Sequence, residues 1–332
     1  MGKTKVILRA DGSPTIGMGH FTRTLALAEM LKDDFYLTYA TRQPTSYQIS
    51  EINRICNEVF PLPEDDSHIE LFLRHLQGHE IVVLDNYYFT TEYQRKIKDK
   101  GCKLVCIDDM HDKHYVADVV INHAEGINES MFSKENYTQL LLGFRHVLLR
   151  APFLQAHTPS LEKKIDLLVG IGGADPKDIT AKMVSEILKL DLNLRLAVLV
   201  GNAYQGEINR NQYPNVEVFK KLDAKQVAGL MRSCSAGLFP ASSIAIEAIA
   251  MRLPFLAGYF VDNQKHFYNS LISSDLAKPL DNFQNIDFKS LKSTLAQLMN
   301  NLPIYIYKYK DLIDLKSPNR IIETFKKFEY EK

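Results

Sequence analysis

Short runs of continuous apolar residues alternate along this chain with helical stretches, and that alternation restricts the fold more than any other feature. Val6-Ile7-Leu8 is followed by Phe35 to Ala40, Ile81-Val-Val-Leu-Asp-Asn86, Lys103-Leu-Val-Cys-Ile-Asp-Asp109 and Asp118-Val-Val-Ile-Asn122. Helical patterns lie between most of these runs, among them Phe21 to Leu31, where Leu25, Ala28 and Leu31 return every three residues, and Thr91 to Lys100. A strand that is apolar throughout has to be covered on both faces, which indicates a parallel sheet with crossover helices. In such sheets ligands bind beyond the carboxyl ends of the strands.

The pattern stops between Ala151 and Lys164, a stretch with Pro152 and Pro159, and then restarts. Asp166-Leu-Leu-Val-Gly-Ile171 leads through Gly172-Gly173-Ala-Asp175-Pro176 into a helix expected from about Lys177 to Leu190. Further strands are expected at 194–200, 216–219, 236–239 and 254–257, with helices at 224–233 and 243–252. A length of 332 residues suits two cores of similar size. The expected fold class is α/β: two Rossmann-like, doubly wound parallel-sheet domains, 1–153 and 154–332, facing each other across a cleft. The tail after Ile286 reads as mostly helical, except that Pro303 to Lys310 alternates with a period of two and suits a strand or an irregular crossover.

Forty Lys plus Arg balance forty Asp plus Glu, so no net field draws the chain to nucleic acid or to an anionic membrane. Cys56, Cys102, Cys106 and Cys234 fit neither a zinc ribbon nor a redox pair and read as free thiols. No run of about 18 apolar residues is present. The expectation is a cytoplasmic protein acting on a small molecule, as a monomer or weak dimer.

Asp11-Gly-Ser-Pro-Thr-Ile-Gly-Met-Gly-His20 joins the first strand to the first helix. The free N–H groups of a helix N-terminus favour an anion and disfavour a charged imidazole, so phosphate and a neutral histidine base are compatible there. Gly12 and Gly17 have P-loop spacing, but Met18 and Gly19 stand where Lys and Ser or Thr are needed, which argues against an NTPase. Gly17 and Gly19 also open like a dinucleotide fingerprint. Thr22 replaces its third glycine, and Tyr39 to Arg42 offers no acid for a ribose, so NAD is not expected. The plainer alternative is a tight glycine turn with a helix-terminal histidine bonded to backbone.

In the second half, Phe239-Pro-Ala-Ser242-Ser243 joins a strand to a helix whose first-turn N–H groups suit a diphosphate, with Glu247 one turn on to accept ribose hydroxyls. The same residues also suit a simple capped helix. Gly172-Gly173 before Asp175 forms another strand-to-helix turn, and Asn263-Gln264 offers neutral donors and acceptors suited to a sugar. Asp108 to His114 gathers carboxylates with His111 and His114 and reads as a polar loop rather than a metal site. His68, His75 and His79 read as a solvated helix and its end.

Taken together, Arg9-x-Asp11-x-Ser13-x-x-Ile16-Gly17-x-Gly19-His20-x-x-Arg23, Leu84-Asp-Asn-Tyr87, Ile107-Asp-Asp109, Gly172-Gly173-x-Asp175, Ala241-Ser-Ser-x-x-x-Glu247 and Asn263-Gln264 resemble, in order, the UDP-2,4-diacetamido-2,4,6-trideoxy-β-L-altropyranose hydrolases of pseudaminic acid biosynthesis. That family is similar in fold to the two-Rossmann, GT-B glycosyltransferases. Asn86 departs from it, standing where the family has histidine before the tyrosine. The resemblance implies that the first domain carries the catalytic base His20 and a sugar site with Gly17, Gly19, Arg23 and Tyr87, and that Asn263 and Gln264 complete this site. It implies that Gly172, Gly173, Ser242, Ser243 and Glu247 of the second domain hold UDP, with no metal and no cofactor.

The expected reaction is hydrolysis of a UDP-sugar at the anomeric carbon, with inversion, by a water that His20 deprotonates while Asp11 orients it. A GT-B glycosyltransferase would use the same parts on an acceptor hydroxyl, and a non-catalytic nucleotide-sugar-binding protein would use them for binding alone.

Overall fold

The computed structural model describes every residue except 1, 14, 15, 156–162, 173, 174, 176, 191, 202, 203, 205, 207, 209–213, 331 and 332; at 288, 289 and 330 only the backbone is described. The chain forms two compact units, Met1–Ala151 with Leu315–Lys332, and Pro152–Asp314.

The strands of the first unit are β1 (Lys5–Ala10), β2 (Tyr36–Arg42), β3 (Glu58–Leu62), β4 (Ile81–Asp85), β5 (Lys103–Ile107), β6 (His114–Tyr115), β7 (Val119–Asn122), β8 (Ser133–Lys134) and β9 (Gln139–Leu142). Seven of them form a parallel sheet in the order β3-β2-β1-β4-β5-β7-β9, while β6 and β8 pair separately. The helices are α1 (Gly19–Leu31), α2 (Ser46–Asn53), α3 (Ser67–His75) and α4 (Thr91–Asp99). Alternate strand residues enter two cores. Val6 and Leu8 pack with Phe21, Leu25 and Ala28 of α1 on one face. Ile7 packs with Phe72 of α3 and Tyr93 and Ile97 of α4 on the other. Two covered faces are the reason the central strands carry near-continuous apolar runs, such as Val6-Ile7-Leu8 of β1 and Ile81 to Leu84 of β4.

The second unit repeats the plan with β10 (Ile165–Val169), β11 (Leu196–Val200), β12 (Val216–Lys220), β13 (Cys234–Pro240), β14 (Phe255–Tyr259) and β15 (Lys278–Asn282). Their order is β12-β11-β10-β13-β14-β15, again all parallel. Its helices are α5 (Ile179–Leu188), α6 (Ala224–Ser233), α7 (Ser243–Ala250), α8 (Lys265–Ser273), α9 (Phe288–Asn300) and α10 (Leu302–Tyr309). No described helix is long and apolar enough to cross a membrane.

Two expectations need correction. The segment from Pro303 to Lys310 is neither strand nor crossover: most of it lies in α10, where Tyr305 and Tyr309, one turn apart, are both buried and Pro303 occupies the first turn. The final stretch also does not belong with the second domain. Helix α11 (Ser317–Tyr330) returns to the first sheet, where Ile321, Phe325 and Phe328, spaced as one helix face, join Phe35 and Leu31 in the core. The Ser317 hydroxyl donates to Val147 O at 2.8 Å, and Lys326 pairs with Asp34 at 2.6 Å.

Candidate active site

In the first sheet the chain leaves β1 toward one edge and β4 toward the other, so the loops after these two neighbouring strands diverge and leave a crevice. Ala10 and Asp85, the last residues of the two strands, are register partners. After β1 the backbones of Ser13 and Gly17 bond each other at 2.8 and 3.3 Å. Gly17 has φ +87°, a conformation open to glycine at little cost, and a Cβ on it or on Gly19 would meet nothing within 4 Å. Helix α1 starts at Gly19 without a side-chain cap and carries His20 in its first turn.

His20 is buried, and its Nδ1 lies 2.7 Å from Asp85 Oδ1. Asp85 also accepts from Arg23 Nε and Nη2, each at 2.6 Å, and from the Thr24 hydroxyl at 2.9 Å. Burial alone would push the Asp85 carboxyl up; the Arg23 guanidinium and His20 outweigh it and hold the group well below the usual carboxylate range. An ionised Asp85 accepts only, so Nδ1 carries a ring proton, and in the neutral imidazole it is Nε2 that presents the lone pair. The approach of Arg23 Nη2 to the same Nδ1 at 3.1 Å sets donor against donor and is no hydrogen bond. Nε2 has no hydrogen-bond partner among the described residues. A carboxylate-held imidazole with its far nitrogen free is the arrangement of a general base.

Asp11 is not the residue that orients His20. Its carboxylate is held by Arg9, Arg42 Nε at 2.6 Å, the Arg42 backbone N–H at 2.9 Å and the Tyr88 hydroxyl. Burial would raise this carboxyl, and Arg9 with its other donors lowers it well below the ordinary range. Asp11 thus pins the end of β1 to β2, while Gln48 Nε2 of α2 donates to Gly12 O at 2.9 Å. Arg23, expected to meet substrate, spends its guanidinium on Asp85 and, through Nη1, on Asp109 at 3.0 Å. His68 is no solvated helix residue: it is buried, with Nδ1 3.2 Å from Arg9 Nη2, and burial together with Arg9 lowers its pKa to about 4.

Tyr87 stands edge-on to His20, ring centroids 4.5 Å apart, and its hydroxyl donates to Asp109 at 3.0 Å. Beside them is a cavity of ≈ 20 Å³, lined by His20, Arg23, Asn86, Tyr87, Asp109 and Lys113 among others. Asp108 accepts from the N–H groups of Met110 and His111 and from the Tyr115 hydroxyl, which ties down the loop that carries His111. No group of three or more potential metal ligands occurs among the described residues.

In the second unit the diverging strands are β10 and β13. Gly172, with φ +147°, follows β10, and Gly173 lies outside the described residues. Asp175 accepts from the N–H groups of Ile179 and Thr180 at 2.9 and 2.7 Å and so caps α5. Ser242 and Ser243 follow β13 at the start of α7, where the Ser242 side chain makes no capping bond. Neither hydroxyl has a hydrogen bond among the described residues. Glu247 is buried one turn further on. Asn263 and Gln264 form a short 3-10 turn after β14, in which Gln264 Oε1 accepts from the Phe260 N–H at 3.0 Å.

Asp85 and Asp109, which contact His20, Arg23 and Tyr87, are the residues of this candidate site that sequence reading left without a role. Both sit at the carboxyl ends of apolar runs, and an acid that ends such a run at a sheet crevice is the signal that points to them.

No protein-family model matches the chain. It is 25% identical over 330 residues to the spore coat polysaccharide biosynthesis protein SpsG of Bacillus subtilis, covering 94% of this chain and 95% of that one. The calicheamicin glycosyltransferase CalG4 superposes with a TM-score of 0.66 over 99% of both chains at 14% identity, and the fold is that of the GT-B glycosyltransferases. The resemblance drawn from the motifs is matched by the UDP-2,4-diacetamido-2,4,6-trideoxy-beta-L-altropyranose hydrolase of Campylobacter jejuni, to which this chain is similar at 26% identity over 266 residues, 79% of this chain and 93% of that protein.

Proposed function

We propose that this protein hydrolyses a UDP-linked 2,4-diacetamido-2,4,6-trideoxy sugar at its anomeric C–O bond, with inversion, releasing UDP and the free sugar for pseudaminic acid biosynthesis. The observation that carries the reading is the His20–Asp85 pair, an imidazole with one nitrogen held at 2.7 Å by an ionised carboxylate and the other free. The similarity to the Campylobacter hydrolase supports the substrate class. His20 Nε2 takes a proton from water as the water attacks C1, and Asp85 stabilises the imidazolium that forms. UDP leaves with the bonding electron pair. Its charge is received by the first N–H groups of α7, the hydroxyls of Ser242 and Ser243 and the backbone at Gly172, with Gly173 the further glycine expected to hold UDP, while Glu247 accepts from the ribose. Gly17, Gly19 and Tyr87 border the sugar, as do Asn263 and Gln264. Asp11 and Arg23 act through the residues they hold, and the mechanism calls on no metal or cofactor.

A GT-B glycosyltransferase is the second reading, favoured by the fold that the chain shares with the calicheamicin enzyme. Incubation with the UDP-sugar alone separates the two, since a transferase releases little UDP without an acceptor. The hydrolase yields stoichiometric UDP and a sugar of inverted anomeric configuration by NMR. A His20→Asn enzyme should lose about 10²–10⁴ of kcat while still binding UDP; near-normal turnover would remove His20 from the mechanism.

A further inference from the structure

We propose that Asn86 holds the attacking water against His20; this rests on the hydrolytic reading above. Asn86 follows β4 directly, and its Oδ1 accepts the backbone N–H of Tyr87 at 3.0 Å. Only the carbonyl end of the amide accepts, so that bond orients the side chain and leaves an NH₂ group at the other end. This Nδ2 is shielded from solvent and has no hydrogen-bond partner among the described residues. A buried donor without a partner is rare in a folded protein and calls for an occupant with a lone pair.

The cavity that Asn86 lines also contains His20, and its ≈ 20 Å³ is the size of a single water, which needs about 10–15 Å³. Asp109 Oδ2 takes Arg23 and the Tyr87 hydroxyl, and Asp108 takes Tyr115 and the Met110 and His111 N–H groups. Lys113 Nζ is turned to Tyr87 O and Asp112, at 3.2 and 3.3 Å.

One water completes both open groups. Its oxygen accepts from Asn86 Nδ2 with one lone pair and attacks C1 with the other. One of its protons passes to His20 Nε2 as the C1–O bond to UDP breaks and the electron pair leaves on the diphosphate. The product keeps the water's oxygen as its anomeric hydroxyl, and His20 returns its proton to solvent.

The test is the kinetics of full-length wild type, Asn86→Ala and Asn86→Asp on UDP-2,4-diacetamido-2,4,6-trideoxy-β-L-altropyranose, in buffer and with added methanol. The expected result is kcat lower by about 10–100-fold, with KM and product inhibition by UDP unchanged. Asn86→Ala should also form a larger share of methyl glycoside than wild type, because its cavity is wider and its water less fixed. A merely structural residue would not move that partition. A raised KM at unchanged kcat would mean that Asn86 touches the sugar and would overturn the proposal, as would unchanged kcat and methanol partition. Wild type that releases no UDP overturns the hydrolytic reading and this inference together. Normal wild-type turnover beside unaffected variants overturns this inference alone. Should Asn86→Ala fail to fold by circular dichroism, Asn86→Asp, which keeps the shape and removes the donor, decides.

Discussion

Asp85 Oδ1 lies 2.7 Å from His20 Nδ1 although 65 residues separate the two in the chain. Parallel pairing of β1 with β4 puts Ala10 beside Asp85, and the start of α1 brings His20 to that position. Replacing Asp85 with Asn removes the charge that fixes the tautomer and stabilises the imidazolium. Steady-state kinetics of Asp85→Asn should show a fall in kcat of about 10²–10⁴ with UDP binding retained. Turnover within a few-fold of wild type would separate Asp85 from the chemistry.

Arg23 is the counter-ion that allows a wholly buried Asp85 to stay ionised. Arg23→Met strands that charge and should cost about 3–5 kcal/mol in urea unfolding. Arg23→Lys keeps the charge but cannot form the two-pronged contact made by Nε and Nη2, so it should recover only part of the loss.

The tail has a measurable role in the first unit. Phe325 is fully buried, with its ring centroid 6.0 Å from that of Phe35. Phe325→Ala should lower the unfolding free energy by about 3–5 kcal/mol through lost burial and the cavity left behind. A loss below about 1 kcal/mol by chemical denaturation would mean that α11 does not contribute to this core.

Acid should weaken the fold before it protonates the buried carboxylates. Burial together with Arg23 lowers the His123 pKa to about 4, and its Nδ1 accepts the Leu148 N–H at 3.1 Å. The unfolded chain takes up that proton near pH 6.5 and the native chain only near pH 4, so between these values the unfolded state binds more protons. The contribution is therefore complete above pH 6.5 and is lost as pH falls toward 4. Between pH 7 and 5 it amounts to about 2 kcal/mol, and His68 acts in the same direction. Denaturation of His123→Gln at both pH values should show a pH-dependent loss smaller by about that amount. An unchanged loss would assign the acid sensitivity elsewhere.

Two parallel sheets were legible in the residues alone, because strands covered on both faces carry near-continuous apolar runs, and so were the glycine and serine turns that follow β1, β10 and β13. The sequence by itself could not separate the roles of neighbouring acids. Asp11 is nine residues from His20 and Asp85 is 65, yet the sheet hands Asp11 to Arg9 and Arg42 and brings Asp85 to the imidazole. Nor could it assign α11, whose apolar face suits any open sheet; only the packing of Ile321, Phe325 and Phe328 beside Phe35 decides which. Local pattern is written in residues a few places apart, whereas partner choice among buried charges depends on which strand ends become neighbours. Tertiary structure alone made that choice here, and it put His20 at the crevice between β1 and β4.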